Sequence, residues 1–242
     1  SNESPTVQIQ GMPVTPGPTP VSGVIETDTV WYSGAGPYVL TGDVTVRDKA
    51  LLTIEPGTDV RSQGGGLIVE GRLAAEGNND SVISFDAQNE VKIWSGITFA
   101  GVKDRENKMA FVRVRNARTA VNCLASSPLI EKSEFTHNTE AIRISGAFSR
   151  PLVSRNAIYK NRGAAISVQD GASPRIMENA IYENGGAGLA VQSASPEVVH
   201  NTITSNRRHG IDVKGVLAII HQNNIVDNVP FNIAGSMNGA SV

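Results

Sequence analysis

The sequence predicts an all-β chain, a right-handed single-stranded parallel β-helix (solenoid) of roughly nine coils over residues 39–235. Three observations carry this. Apolar residues recur at a fixed step: Phe135, Ile158, Ile181, Ile203 and Ile225 lie 23, 23, 22 and 22 residues apart. Three positions after each stands an asparagine: Asn138, Asn161, Asn184, Asn206 and Asn228. Between these markers, as in Ile166-Ser167-Val168 and Ile211-Asp212-Val213, apolar residues alternate with the period of two that marks a strand. One repeat alone cannot bury its inward side chains, whereas stacked repeats share a continuous core.

Taken in order, residues 1–22 hold Pro5, Pro13, Pro16, Pro18 and Pro20. They read as a Pro-rich, weakly structured leader or spacer. Residues 23–38, with Trp31 and Tyr32, are expected to cap the first coil. In the first half, Val44-Thr45-Val46, Leu52-Thr53-Ile54, Leu67-Ile68-Val69, Ile83-Ser84-Phe85 and Ile97-Thr98-Phe99 are short strands separated by glycines. The regular repeats follow. Their columns include Ser133, Asn156, Asn179, Asn201 and Asn223, two residues before the apolar marker, and Ile142, Ile166, Leu189, Ile211 and Ile233 after the asparagine. Pro128, Pro151, Pro174 and Pro196 open the units. Residues 236–242 form a short tail. Stacked at ~4.8 Å per coil, the units make a rod on the order of 40 Å long.

The segments from Pro37 to Val46 and from Leu52 to Val60 resemble the opening coils of bacterial right-handed parallel β-helix proteins. Leu67-Ile68-Val69-Glu70-Gly71 and Trp94-Ser95-Gly96-Ile97-Thr98-Phe99 continue the pattern, and the later units resemble the repeats of the pectate-lyase-like superfamily. The resemblance implies an exported protein, periplasmic, envelope-anchored or extracellular. It also brings in carbohydrate as a ligand class, since relatives include polysaccharide lyases, hydrolases, epimerases and adhesive surface domains.

Composition narrows the function. The net charge is −2, with 18% charged residues, so no basic excess attracts nucleic acid. No apolar run approaches the ~18 residues of a transmembrane helix. The single cysteine, Cys123, rules out an internal disulfide framework and a multi-thiolate metal centre. It aligns with inward positions and is expected to be a buried thiol. No cofactor motif is found. His200 and His221 fall in different columns, without metal-ligand spacing.

In a solenoid, residues of one register stack, so the columns locate candidate sites. The asparagine column 138, 161, 184, 206 and 228 reads as a structural ladder: Asn tolerates left-handed turns, and its amides can bond along the axis. Tyr159 and Tyr182 stack as an aromatic pair, flanked by Arg155 over Glu178 and Lys160 over Glu183. With Arg143, the residues Tyr159, Tyr182, Arg155 and Glu178 form the candidate ligand-binding set, for polysaccharide or an envelope protein. Arg207, Arg208 and His209 read as a solvated basic turn. No catalytic set is assigned, because no outward column from Pro128 onward places carboxylates on neighbouring coils, as acid–base cleavage or Ca²⁺ binding requires. The expected function is therefore a non-enzymatic envelope or surface module. The alternative is a polysaccharide-active enzyme whose site uses the first-half acids Asp43, Asp59, Glu70, Asp80, Asp86 and Glu90. Because an open coil end exposes apolar surface and strand edges, the C-terminal coil is expected either to meet a partner subunit, as in an end-to-end homo-oligomer, or to continue in a longer chain.

Overall fold

The computed structural model describes residues 16–89, 93–101, 106–215 and 218–236. Glu90, the leader up to residue 15 and the tail from residue 237 lie outside them. Within the described residues the chain is strand and turn, apart from a 3-10 turn at Ser33–Ala35. The strands pair in parallel. Parallel neighbours need a crossover between them, and here each crossover is itself built from the other strands of the coil.

Each coil adds a strand to three ladders. The first runs through Asp59–Ser62, Ile83–Ala87, Val112–Arg115, Glu134–Thr136, Ala157–Tyr159, Ala180–Tyr182, Thr202–Thr204 and Asn224–Val226. The second runs from Gly66–Val69 through Thr119–Leu124, Glu140–Ser145 and Ile166–Gln169 to Ile233–Ser236. The third is a nine-stranded sheet from Thr29–Trp31 to Ile219–His221, which gives nine coils. One long strand, Tyr38–Val46, serves both the first and the second ladder.

The alternating pattern sorts side chains as the period of two requires. Phe135, Ile158, Ile181 and Ile203 are register partners on successive coils and are fully buried. The same inward row continues backward through Val114, Phe85 and Val60. Cys123 pairs with Ile144, is fully buried, and its thiol is pushed up to about 12 by loss of solvation. A thiolate is thereby suppressed at neutral pH.

The first coil starts earlier than the sequence indicated. Thr19–Ile25 is a strand paired with Tyr38–Val46, so residues 19–22 belong to the solenoid rather than to the leader. Within residues 23–38, Thr29–Trp31 pairs with Leu51–Ile54 and adds a strand to the third ladder. Trp31 is buried against the Tyr38 ring, 4.8 Å between centroids. Two prolines in the segment, Pro18 and Pro20, precede or open the edge strand, where a missing N–H is tolerated.

The asparagine column is a ladder in full. The Nδ2 of Asn138, Asn161, Asn184 and Asn206 donates to the Oδ1 of the next asparagine at 2.9–3.0 Å. The backbone N–H of each donates to the same oxygen. The left-handed geometry expected of these asparagines falls one residue earlier, on His137, Lys160, Glu183, Ser205 and Asp227, with φ of 53–58°. The amide is then free to face inward and bond along the axis, while its predecessor carries the turn. A second ladder of the same kind, Asn156–Asn179–Asn201–Asn223, closes the other turn. There Lys132, Arg155, Glu178, His200 and Gln222 take the positive φ.

At the C-terminal end the inward row thins. Ile225 is only partly covered, and Val229 and Phe231 are 62% and 59% exposed.

Candidate functional site

The outward side chains of the first ladder form two parallel columns. One reads Asp59, Ser84, Arg113, Glu134, Ala157, Ala180. In the other, Arg61 lies beside Asp86, and Thr136, Tyr159, Tyr182 and Thr204 follow on later coils. One face of the solenoid thus carries a charged lattice that ends on an aromatic pair.

Tyr159 and Tyr182 stack with centroids 4.9 Å apart and planes within 1°. Each ring covers a face of the other, so the pair offers a ligand its edges and hydroxyls, and the far face of Tyr182 above Thr204. A groove of about 630 Å³ runs beside the pair, and both rings line it. Its wall is completed by Phe111, Arg113, Lys132, Glu134 and Arg155. Lys132 lies over the Phe111 ring at 5.2 Å. Arg155 bonds Glu131 at 2.9 Å and faces Glu178 more distantly, at 3.8 Å. Arg155 is therefore shared between two carboxylates, and the Arg155–Glu178 pair expected from the column is the looser of the two.

Glu134 lines this groove. It accepts hydrogen bonds from the Tyr159 hydroxyl and the Arg113 guanidinium. Burial pushes its carboxyl up, but those two hydrogen bonds and the charges of Arg113 and Arg115 outweigh it and hold the group below its ordinary value. Tyr159 moves the other way: the bond to Glu134, burial and the Glu134 charge all raise its phenol. Tyr182 is raised as well, first by burial and then by the charges of Glu183 and Glu134. An acid–base catalyst needs its pKa near the working pH. Here the carboxylate and the phenol are both displaced away from neutrality.

The Glu134–Tyr159 contact makes a direct prediction. In Glu134→Gln the charge that opposes phenolate formation is gone, so Tyr159 ionises at lower pH than in the native protein. An alkaline titration followed by phenolate absorbance measures this, and an unchanged curve would refute the link.

Of the residues expected in the site, Tyr159, Tyr182 and Arg155 line the groove, and Glu178 stands beside Arg155. Arg143 does not join them. It lies in the second ladder, paired with Ser167, and its guanidinium forms an ion pair with Glu140 at 2.6 Å. Columns show what stacks above what, but not which of three faces a column occupies. Arg113, Glu134 and Phe111 were not anticipated. Their signal was weak because Val114 to Phe135 is 21 residues (135 − 114), shorter than the later steps.

Four of the six first-half acids are committed to partners. Asp59 is held by Arg61 at 2.8 Å and by the Ser84 hydroxyl at 2.6 Å. Asp86, 6% exposed, receives Arg115 at 2.9 Å and Asn116 at 2.7 Å. Asp43 accepts the Gly66 N–H, and Glu70 meets Arg47. Asp80 is exposed at a turn. Among the described residues no three acidic, histidine or cysteine side chains converge as a metal-ion site, and no helix is long and apolar enough to cross a membrane.

The sequence model of the family described as right handed beta helix region matches residues 94–242. Three crystal structures of mutants of the periplasmic alginate epimerase AlgG share the fold, with TM-scores of 0.60, 0.54 and 0.53 at 14%, 13% and 14% identity. The superpositions cover 89%, 86% and 89% of this chain and 64%, 60% and 64% of those chains. This chain thus spans less than two thirds of their length, and at such identity the likeness concerns the fold. No curated protein sequence matches this chain.

Proposed function

This chain belongs to the right-handed β-helix family, and from that premise we propose that it is a non-enzymatic module that binds polysaccharide along its first ladder. The observation that carries the reading is the groove beside Tyr159 and Tyr182, which combines aromatic edges with Arg113, Lys132 and Arg155. Aromatic surface packs against the C–H faces of sugars while guanidinium and ammonium groups bond their hydroxyls and carboxylates. Non-catalytic binding fits the groove because the bonds from Tyr159 and Arg113 hold the Glu134 carboxyl below its ordinary value and Glu134 in turn raises the Tyr159 phenol, each away from the neutral range that favours proton transfer. An exported location, in the periplasm or at the cell surface, goes with such a ligand and with the periplasmic setting named for AlgG.

Titration calorimetry with a panel of uronic-acid and neutral polysaccharides tests the proposal. Binding is expected, and Tyr182→Ala and Arg155→Ala should each weaken it about fivefold, as loss of one solvent-exposed aromatic or ionic contact does. Unsaturated, shortened or epimerised products in the same incubations would replace binding with catalysis. Binding to an envelope protein with no response to any glycan would move the partner class.

A further inference from the structure

We propose that a second groove, on the turn that follows the tyrosine strands, is a separate site for a phosphate-type dianion, either free or carried on a sugar. Tyr159 and Tyr182 end their strands, and the next residues, Lys160 and Glu183, turn the chain with φ of 53° and 54°. That left-handed turn throws Lys160 and Glu183 outward, where they line a groove of about 610 Å³ with His137, Arg162, Ser205 and Arg207. Two coils contribute cations to one concavity, Lys160 and Arg162 from one and Arg207 from the other.

Charge decides the ligand class. Lys160, Arg162 and Arg207 supply three positive charges, and Glu183 is the one carboxylate in the lining, so the groove carries +2 with His137 neutral (3 − 1). Glu183 is engaged by Lys160 at 3.8 Å, and among the described residues no carboxylate forms an ion pair with Arg162 or Arg207. Asp227, one coil beyond Ser205, is not part of the lining. A carboxylate ligand would neutralise half of this charge. A phosphate monoester, at about −1.5 to −2 near pH 7, matches it. Arginine forks are also suited to the oxygens of a tetrahedral anion. The backbone N–H groups of Arg162, Gly185 and Arg207 are spent on carbonyls of the preceding coil, so recognition falls to the side chains.

The full chain is titrated at low ionic strength with inorganic phosphate, glucose 6-phosphate, glucose and acetate. Phosphate and glucose 6-phosphate are expected to bind, glucose and acetate far more weakly. The exposed pair Arg162→Ala and Arg207→Ala together should weaken both by about tenfold or more, as expected when two charge-assisted contacts are lost. Arg162→Gln, which keeps most of the side-chain stem, should show part of the loss and guards against a folding defect in the double variant. Tighter binding of glucose 6-phosphate than of phosphate assigns the anion to a sugar; equal binding assigns it to the free ion. No response to phosphate, acetate binding as strongly as phosphate, or unaltered binding in the arginine variants would each overturn the site. Tyr182→Ala should leave phosphate binding intact, because Tyr182 lines the polysaccharide groove and not this one.

Discussion

Asn184→Ala is expected to destabilise the protein by roughly 3–5 kcal/mol, since buried groups left without partners cost about 1–3 kcal/mol each. Asn184 is fully buried. Its Oδ1 accepts both the backbone N–H and the Nδ2 of Asn161, at 3.1 and 2.9 Å. Its Nδ2 donates to Asn206 Oδ1 at 2.9 Å, to the Ile158 carbonyl at 3.0 Å and to the Tyr182 carbonyl at 3.1 Å. Alanine removes five contacts at once and strands the Asn161 N–H inside the stack. Because the rung ties three coils, the damage is not confined to one turn. The terminal rung offers the contrast. Asn232, exposed, accepts from Asn228 at 3.1 and 3.2 Å, and water can take its place, so Asn232→Ala should cost under about 1 kcal/mol. Urea unfolding of the two variants measures the gradient. Equal losses would mean that burial along the ladder does not set its strength.

The ladder, the inward row and the period of two were legible because they repeat at 22–23 residues in the second half of the chain. In the first half the same inward row steps from Val60 to Phe85 to Val114, 25 and then 29 residues (85 − 60, 114 − 85). Extra turn residues between strands change the count without changing the register of the core, so periodicity fails there while the fold persists. The groove depends on that irregular half: Arg113 and Phe111 come from one coil and Glu134 from the next, across a 21-residue step. The turn residues hid for another reason. Lys, His, Glu, Ser, Arg, Gln and Asp all take positive φ here, a geometry usually signalled by glycine, so residue type did not mark it. Arg143 shows the remaining gap. Vertical stacking follows from the repeat, but assigning a column to a face requires knowing where each coil bends.

The largest effect is expected from Ile181→Asp set against Ala180→Asp, adjacent residues on one strand. Ile181 has no exposure and sits between Ile158 and Ile203. Ala180 points outward, between Ala157 and Thr202. A carboxyl at 181 must either ionise in a dry core or be held neutral there. Burial of that kind moves a carboxyl by up to about 3–5 pKa units, or roughly 4–7 kcal/mol, before the lost packing is counted. Such a sum approaches the whole stability of a typical domain, about 5–15 kcal/mol. Ile181→Asp should therefore lose its cooperative thermal transition and its native circular dichroism at neutral pH, whereas Ala180→Asp should unfold within about 0.5 kcal/mol of the parent, as surface substitutions do. The two changes introduce the same charge one residue apart, and strand propensity, which spans only about 1 kcal/mol, is too small to account for the gap; the direction of the side chain is not. If both variants fold equally well, Ile158, Ile181 and Ile203 do not share an interior, and the columns that build both grooves would have no basis.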